Sequence, residues 1–390
     1  MSRLSIYLPP FASDYAGVCS ALYDTDCLTV IADAKCCTSH VVYWDEPRWA
    51  SRPRPTVSAQ LRSIDMILGN DDRLVRSIRE MDADLDPAFL ALVGTPVPAI
   101  TGLDLEGIAC QLEDLCGKPA IGFDTGGFAF YDQGLYKAGA ALLRRFCSAA
   151  SPTRPDSLAL LGLSPLDLGD VGNDADLRAA LERDGWTIGA SLFMGYSEGD
   201  LAALPSSGCS LAVSAAGLRL AKLLERRWGV PYAVGCPMGT VHLDWLLRRL
   251  RRPDMPEPPP ISGPASTLLI MDQVMGRSLR QALRLNGCRG QITVATFFRS
   301  DPDLEEAGDL QLPSEQALIG HLRSHAYQCV VGDPMLAAVP ELQRVHLEPF
   351  VHPAVSGKLH WAETPRLLSH GLQLRLEQLT ERINAAEPRA

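Results

Sequence analysis

Long apolar runs are missing from this 390-residue chain. None approaches the roughly 18 residues that a membrane-spanning helix needs, so no membrane partner is expected. Met1 to Pro10 lacks a basic region followed by a long apolar one, so no secretory signal is expected either. Positive charge is in deficit, with 36 Lys and Arg against 46 Asp and Glu and a formal charge of −10. That balance argues against nonspecific binding to nucleic acid. No CxxC pair and no four-cysteine signature occurs. No Walker phosphate loop occurs, so any nucleotide chemistry belongs to a partner.

What is present suits a globular protein with substantial cores: 46% of residues are hydrophobic and 21% charged. The length allows two or three domains. Eleven cysteines without a signal point to a reducing cytoplasm, where thiols serve packing, metals or redox chemistry rather than disulfides.

The stretch from Gly17 to Thr38 is the most informative. Leu28 to Ala32 reads as a short buried strand centred on Val30 and Ile31. Cys19 precedes it, and Cys36 and Cys37 follow where it ends. In a parallel sheet, sites collect at the carboxyl ends of strands. Two or three thiolates gathered there could ligate a soft metal or an iron–sulfur cluster. The competing reading makes them small buried hydrophobes.

Along the rest of the chain strand and helix signals alternate. Asp45 to Pro55 reads as loop, Ile64 to Gly69 as a strand, and Arg73 to Met81 as a helix capped by Asn70-Asp71-Asp72. Phe89 to Val93 and Ala120 to Phe123 are strands, Asp104 to Cys116 a helix closed by Gly117, and Tyr136 to Cys147 another. Ser151 to Pro155 reads as a connector. Strands over 158–163, 187–193, 210–214 and 232–234 then alternate with helices over 174–184, 215–228 and 242–251. Arg252 to Pro264 holds six prolines and reads as a linker. A third set follows: strands over 267–271, 291–298 and 328–331, helices over 278–286 and 314–325, and a mostly helical Trp361 to Ala386. The pattern predicts an α/β protein with three doubly wound, Rossmann-like parallel sheets around a central cleft. The expected division is 1–150, 151–252 and 265–390, with 253–264 as linker.

The order of motifs resembles the nitrogenase component 1 family. That family includes molybdenum–iron protein subunits, cofactor-assembly scaffolds, protochlorophyllide and chlorophyllide reductases and the nickel-tetrapyrrole reductive cyclase. Cys19 with Ala21-Leu22 resembles its first cluster cysteine, and Cys36-Cys37 its second. V-G-T-P-V-P-A-I-T-G-L-D-L-E-G at 93–107 is similar to the turn bearing the third, with Thr95 in the cysteine's place. G-K-P-A-I-G-F-D-T-G-G-F at 117–128 resembles the next strand and turn. The helix and turn at 215–232 and G-C-P-M-G at 235–239 are similar to elements of its second block. Ala32, Asp33 and Ala34 stand where the family has histidine and glycine. Neither Val213 nor Ser214 supplies the family's cofactor cysteine, which argues against dinitrogen reduction at a large cofactor.

The resemblance implies an enzyme component working as a homodimer or heterodimer. It would hold a 4Fe–4S cluster at the subunit interface, receive electrons from an ATP-dependent iron protein and reduce a small-molecule substrate. Cys19 with Cys36 or Cys37 from each of two chains would supply four thiolates, and Asp33 could replace one. The alternatives are a metal-cofactor assembly or carrier scaffold and a metal-free binding protein. Candidate substrate contacts are Thr125, Gly126 and Gly127, whose turn could approach an anion, and Cys236 and Gly239 of the second glycine loop. His352 is the candidate proton donor or metal ligand. Cys27, Cys110, Cys116, Cys147, Cys288 and Cys329 are read as packing.

Overall fold

The computed structural model describes residues 5–62, 64, 71–147, 153–261, 263 and 266–385. It contains three sheets, each parallel throughout. The first uses β1 (Cys27–Ile31), β2 (Thr56–Ser58), β3 (Phe89–Val93) and β4 (Ala120–Phe123) in the order β2-β1-β3-β4. The second uses β5 (Arg154–Leu161), β6 (Thr187–Ser191), β7 (Ser207–Ala212) and β8 (Tyr232–Val234) in the order β6-β5-β7-β8. The third uses β9 (Ser266–Ile270), β10 (Gln291–Thr296), β11 (Leu310–Gln311), β12 (Cys329–Gly332) and β13 (His346–Pro349) in the order β11-β10-β9-β12-β13. The chain is thus an α/β protein of three doubly wound, Rossmann-like parallel sheets.

The central strands are apolar because helices cover both faces of a parallel sheet. Every residue of β1 and β3 is buried. Each sheet reverses its strand order once, between β1 and β3, β5 and β7, and β9 and β12. Loops leaving those strand pairs open a crevice, which is where ligands of such folds bind.

Two helices set the first sheet against the second. Asp14–Leu22 packs on Tyr131–Phe146 at glycine on both sides. A Cβ added at Gly17 would overlap the carbonyl oxygen of Tyr131, and one at Gly134 that of Asp14. Arg48, fully buried, ties the same region together. It pairs with Glu46 at 2.6 Å and donates to the carbonyls of Ser20 and Phe193 at 2.8 and 2.9 Å.

Several boundaries differ from the sequence expectation. Cys36 and Cys37 open a one-turn helix, Cys36–His40, rather than sitting in a bare turn. Asp45 to Pro55 is not plain loop: Val41–Asp45 and Pro47–Ala50 are helical turns. The helix expected from Tyr136 begins at Tyr131, and the one expected from Ser278 begins at Gln273, capped by Asp272. The C-terminal helix is His370–Ala385, preceded by 3₁₀ turns at Gly357–Leu359 and Trp361–Glu363. Edge strands β2, β11 and β13 were not expected. The strand expected over 64–69 lies outside the described residues, apart from Ile64, as do Asn70, 151–152 of the connector and 262, 264 and 265 beside the linker.

Candidate functional site

β1 ends at Ile31, and Asp33 follows with no solvent exposure. Its carboxylate accepts from the Thr38 N–H at 2.7 Å, the Thr38 hydroxyl at 3.0 Å and the Ser58 hydroxyl at 2.5 Å. These bonds fasten the end of β1 to the Cys36–His40 turn and to the end of β2. Lys35 between them has φ 105°, a left-handed conformation that a non-glycine residue adopts only under constraint. The turn brings the Cys36 and Cys37 sulfurs to 4.0 Å. One ligand atom each from Asp33, Cys36 and Cys37 lie within 4.8 Å of one another. Cys36 is exposed and Cys37 half-buried, so the group opens outward. Two thiols and one carboxylate suit a thiophilic or borderline metal.

Cys19 does not join this group. It lies on the Asp14–Leu22 helix, 5% exposed, inside the first apolar core. Burial, with Glu46, Cys27, Asp45 and Asp33 nearby, pushes its thiol well above the ordinary range. The Cys37 thiol is pushed up to about 11 by burial and by the Cys36 sulfur. The Thr95 hydroxyl is turned away, donating to the Ala32 carbonyl at 2.7 Å. It joins the ends of β1 and β3 across the switch point.

Lys35, Ser39 and His40 are exposed beside the thiols. Tyr15 reaches the Cys37 sulfur with its hydroxyl, and Gly127 lies against Tyr15 and Pro96. Tyr43 and Trp44, a few residues on, are exposed, as are Ile100 after Pro96 and Phe128 after Gly127. The glycine turn is internally occupied: the N–H groups of Gly126 and Gly127 donate to the Asp14 carboxylate at 3.3 and 2.8 Å. Thr125 is buried and donates to the Gly94 carbonyl at 2.7 Å.

A second polar cluster lies where the sheets converge. The Tyr131 hydroxyl donates to Asp167 Oδ1 at 2.5 Å and meets His352 Nε2 at 2.9 Å. His352 Nε2 is 3.5 Å from the same Asp167 oxygen, and the His352 N–H donates to Asp333 at 2.9 Å. Asp272 accepts from the N–H groups of Val274, Met275 and Ala215. Burial and the Asp167 charge push the Asp272 carboxyl up to about 7. All five side chains are at most 2% exposed, and Phe298 packs edge-on against Tyr131 and His352. Among the described residues Asp167 Oδ2 and His352 Nδ1 have no hydrogen-bond partner. The space beside His352, under Phe11, Phe297 and Phe298, is about 10 Å³, room for roughly one water. The chain's own side chains fill the cleft.

His352 and the cysteine pair are therefore in separate places. Cys236 is buried beside Asp167 and Asp272, its thiol pushed well up by burial, and its N–H is already committed, donating to the Ser278 hydroxyl oxygen at 2.9 Å. Gly239 lies against Gln373 of the last helix. Cys27, Cys147, Cys288 and Cys329 are buried as expected, but Cys110 is exposed and Cys116 half-exposed. The sequence reading missed Tyr131, Asp167, Asp272 and Asp333. The signal was an aspartate soon after the ends of β5, β9 and β12, matching Asp33 after β1.

The architecture defines an α/β protein with three switch points, one carrying an outward-facing pair of thiols. Residues 15–253 match the family described as Nitrogenase component 1 type Oxidoreductase. The chain belongs to that family. Among curated relatives, the nitrogenase iron-molybdenum cofactor biosynthesis protein NifE of Sinorhizobium fredii is 27% identical over 216 residues, covering 53% of this chain and 43% of that protein. The NifE protein of Klebsiella pneumoniae is 26% identical over 222 residues, covering 53% of this chain and 48% of its own length. The chain thus spans less than half the length of these relatives. Two solved structures share the fold: nitrogenase Cp1 at pH 6.5, with TM-score 0.71 and 14% identity over 98% of this chain and 94% of that one, and nitrogenase Cp1 at pH 5, with TM-score 0.68 and 13% identity over 98% and 90%. Among the described residues no helix is long and apolar enough to cross a membrane.

Proposed function

We propose that this chain is a metal-handling component, an assembly or carrier subunit that works in a dimer and presents its metal through Cys36 and Cys37. The observation that carries the reading is the grouping of Asp33, Cys36 and Cys37 donor atoms within 4.8 Å at an exposed strand end. The packed cleft around His352 supports a carrier over a reductase, because a substrate has no room there without rearrangement. Curated relatives named for cofactor biosynthesis agree with it. The exposed Tyr43, Trp44, Ile100 and Phe128 provide apolar surface for a partner subunit. If the metal is a 4Fe–4S cluster instead of single ions, two chains meeting there would supply its four thiolates. In the same reading the units are 1–150, 151–252 and 265–390, one sheet to each.

A second reading keeps the reductase. Electrons would come from an ATP-dependent iron protein, and His352, hydrogen-bonded through Tyr131 to Asp167, would supply protons to a small-molecule substrate. The Tyr131–His352 contact of 2.9 Å favours it.

Anaerobic purification with iron and sulfide quantification and electron paramagnetic resonance tests both. The expected result is bound metal that is lost in Cys36→Ser/Cys37→Ser and kept in Cys19→Ala. A folded protein that takes up no metal on reconstitution overturns the metal-handling reading. Multiple turnovers with a partner iron protein would replace the carrier by the reductase.

A further inference from the structure

We propose that Cys36 and Cys37 chelate one and the same metal ion with Asp33 as third donor, forming a mononuclear site for a thiophilic divalent cation of the zinc or ferrous class. The inference rests on the metal-handling reading and names the ion and the way it is held. Two thiolates about 2.3 Å from one tetrahedral ion stand ~3.8 Å apart. The two sulfurs are 4.0 Å apart before any ion is bound. A cluster takes one thiolate on each iron, which sets its ligands farther apart than two ligands of a single ion. Adjacent residues of a helical turn point about 100° apart, so the short spacing comes from the two side chains folding toward each other beside Asp33.

Asp33 is fixed for the role. Its three hydrogen bonds, two from Thr38 and one from Ser58, occupy three of the roughly four acceptor positions of a carboxylate and leave one for a metal. Such outer partners orient a ligand and keep it in place when the ion leaves. The left-handed backbone at Lys35 makes the turn that sets both sulfurs beside the carboxylate. The carboxylate is buried, Cys37 half-buried and Cys36 exposed, so the fourth position faces solvent. An open fourth position is what distinguishes an exchangeable site from a closed structural one. On binding, two sulfur–metal bonds and one oxygen–metal bond form, and each thiol gives up its proton to solvent. No electron moves, and neither sulfide nor a second chain is needed.

The test is titration of the anaerobic, metal-free full chain with Co²⁺ alone. The expected result is one Co²⁺ per chain, a near-ultraviolet sulfur-to-cobalt charge-transfer band, the intense visible bands of a tetrahedral ion, and displacement by Zn²⁺. Cys36→Ser and Cys37→Ser, both at accessible positions, each remove about half of the charge-transfer intensity. Thr38→Val, which removes one bond to Asp33, weakens binding by roughly 10- to 100-fold with the sulfur bands retained. Cys19→Ala changes nothing. No Co²⁺ uptake, uptake that survives both serine changes together, one ion per two chains, or dependence on Cys19 would each overturn the proposal. Failure with Co²⁺ alongside successful iron–sulfide loading fells this inference and leaves the proposed function standing, whereas failure of both experiments fells both.

Discussion

Asp45 closes the helical turn that follows Cys36–His40, and its carboxyl is buried, with no hydrogen bond to Oδ2 among the described residues. His40 Nε2 lies 3.6 Å away. Burial, and after it the Glu46 charge, pushes the Asp45 carboxyl up to about 7. A carboxyl raised in the folded state binds its proton more tightly there than in the unfolded chain. Its contribution to stability is full below pH about 4 and is lost as pH rises through about 7. Asp45→Asn removes that dependence, so thermal unfolding from pH 4 to 8 should show the variant gaining on the parent chain as pH rises. A constant difference across that range would contradict the assignment. At this scale the sequence is legible only in part. Free cysteines read as packing account for Cys27 and Cys288 but not for Cys110, because the Leu105–Cys116 helix turns Cys110 to solvent. Asp33 was recognised as a spare ligand, yet its burial under Thr38 and Ser58 depends on strand β2, whose three residues carry too little pattern to be read.

The contact between Asp14–Leu22 and Tyr131–Phe146 holds the thiol-bearing end of the first sheet at a fixed distance from the second. Gly17 and Gly134 allow the backbones to touch. Gly134→Ala would force the helices apart, at a cost of about 1–3 kcal/mol, measurable as a lower urea midpoint with an unchanged m-value. An unchanged midpoint would mean that the helices already lie farther apart. The same glycine hid the helix start, since Asp132-Gln133-Gly134 has the composition of a turn and the apolar period becomes clear only from Tyr136. Elements whose pattern and caps agree were legible to the residue: β3, β4, β8 and the helix Ala215–Trp228, closed by Gly229 in the left-handed conformation. The one-turn Cys36–His40 helix was not, because it has no apolar period and is held by Asp33 rather than by propensity.

Across the whole molecule the three sheets meet through Tyr131, Asp167, Asp272, Asp333 and His352, which come from positions spread over more than half of the chain. Tyr131→Phe would leave Asp167 and His352 without their shared partner in a dry interior, costing about 1–3 kcal/mol. Urea unfolding followed by separate probes on the first and third sheets should show both losing stability together; loss confined to one would place the junction elsewhere. Sequence showed the three sheets and singled out His352, but the aspartates joining them are far apart in the chain and only the fold brings them to one place. The Asp14 carboxylate on the Gly126–Gly127 turn works over about half that span, 112 residues. Because Asp14 is tethered, it faces that turn at an effective concentration on the order of millimolar or more. A free phosphate or carboxylate enters only by outcompeting this resident anion, so the turn acts as a latch between the first helix and the first sheet, and its occupancy is set by the fold instead of by the metabolite concentrations around it.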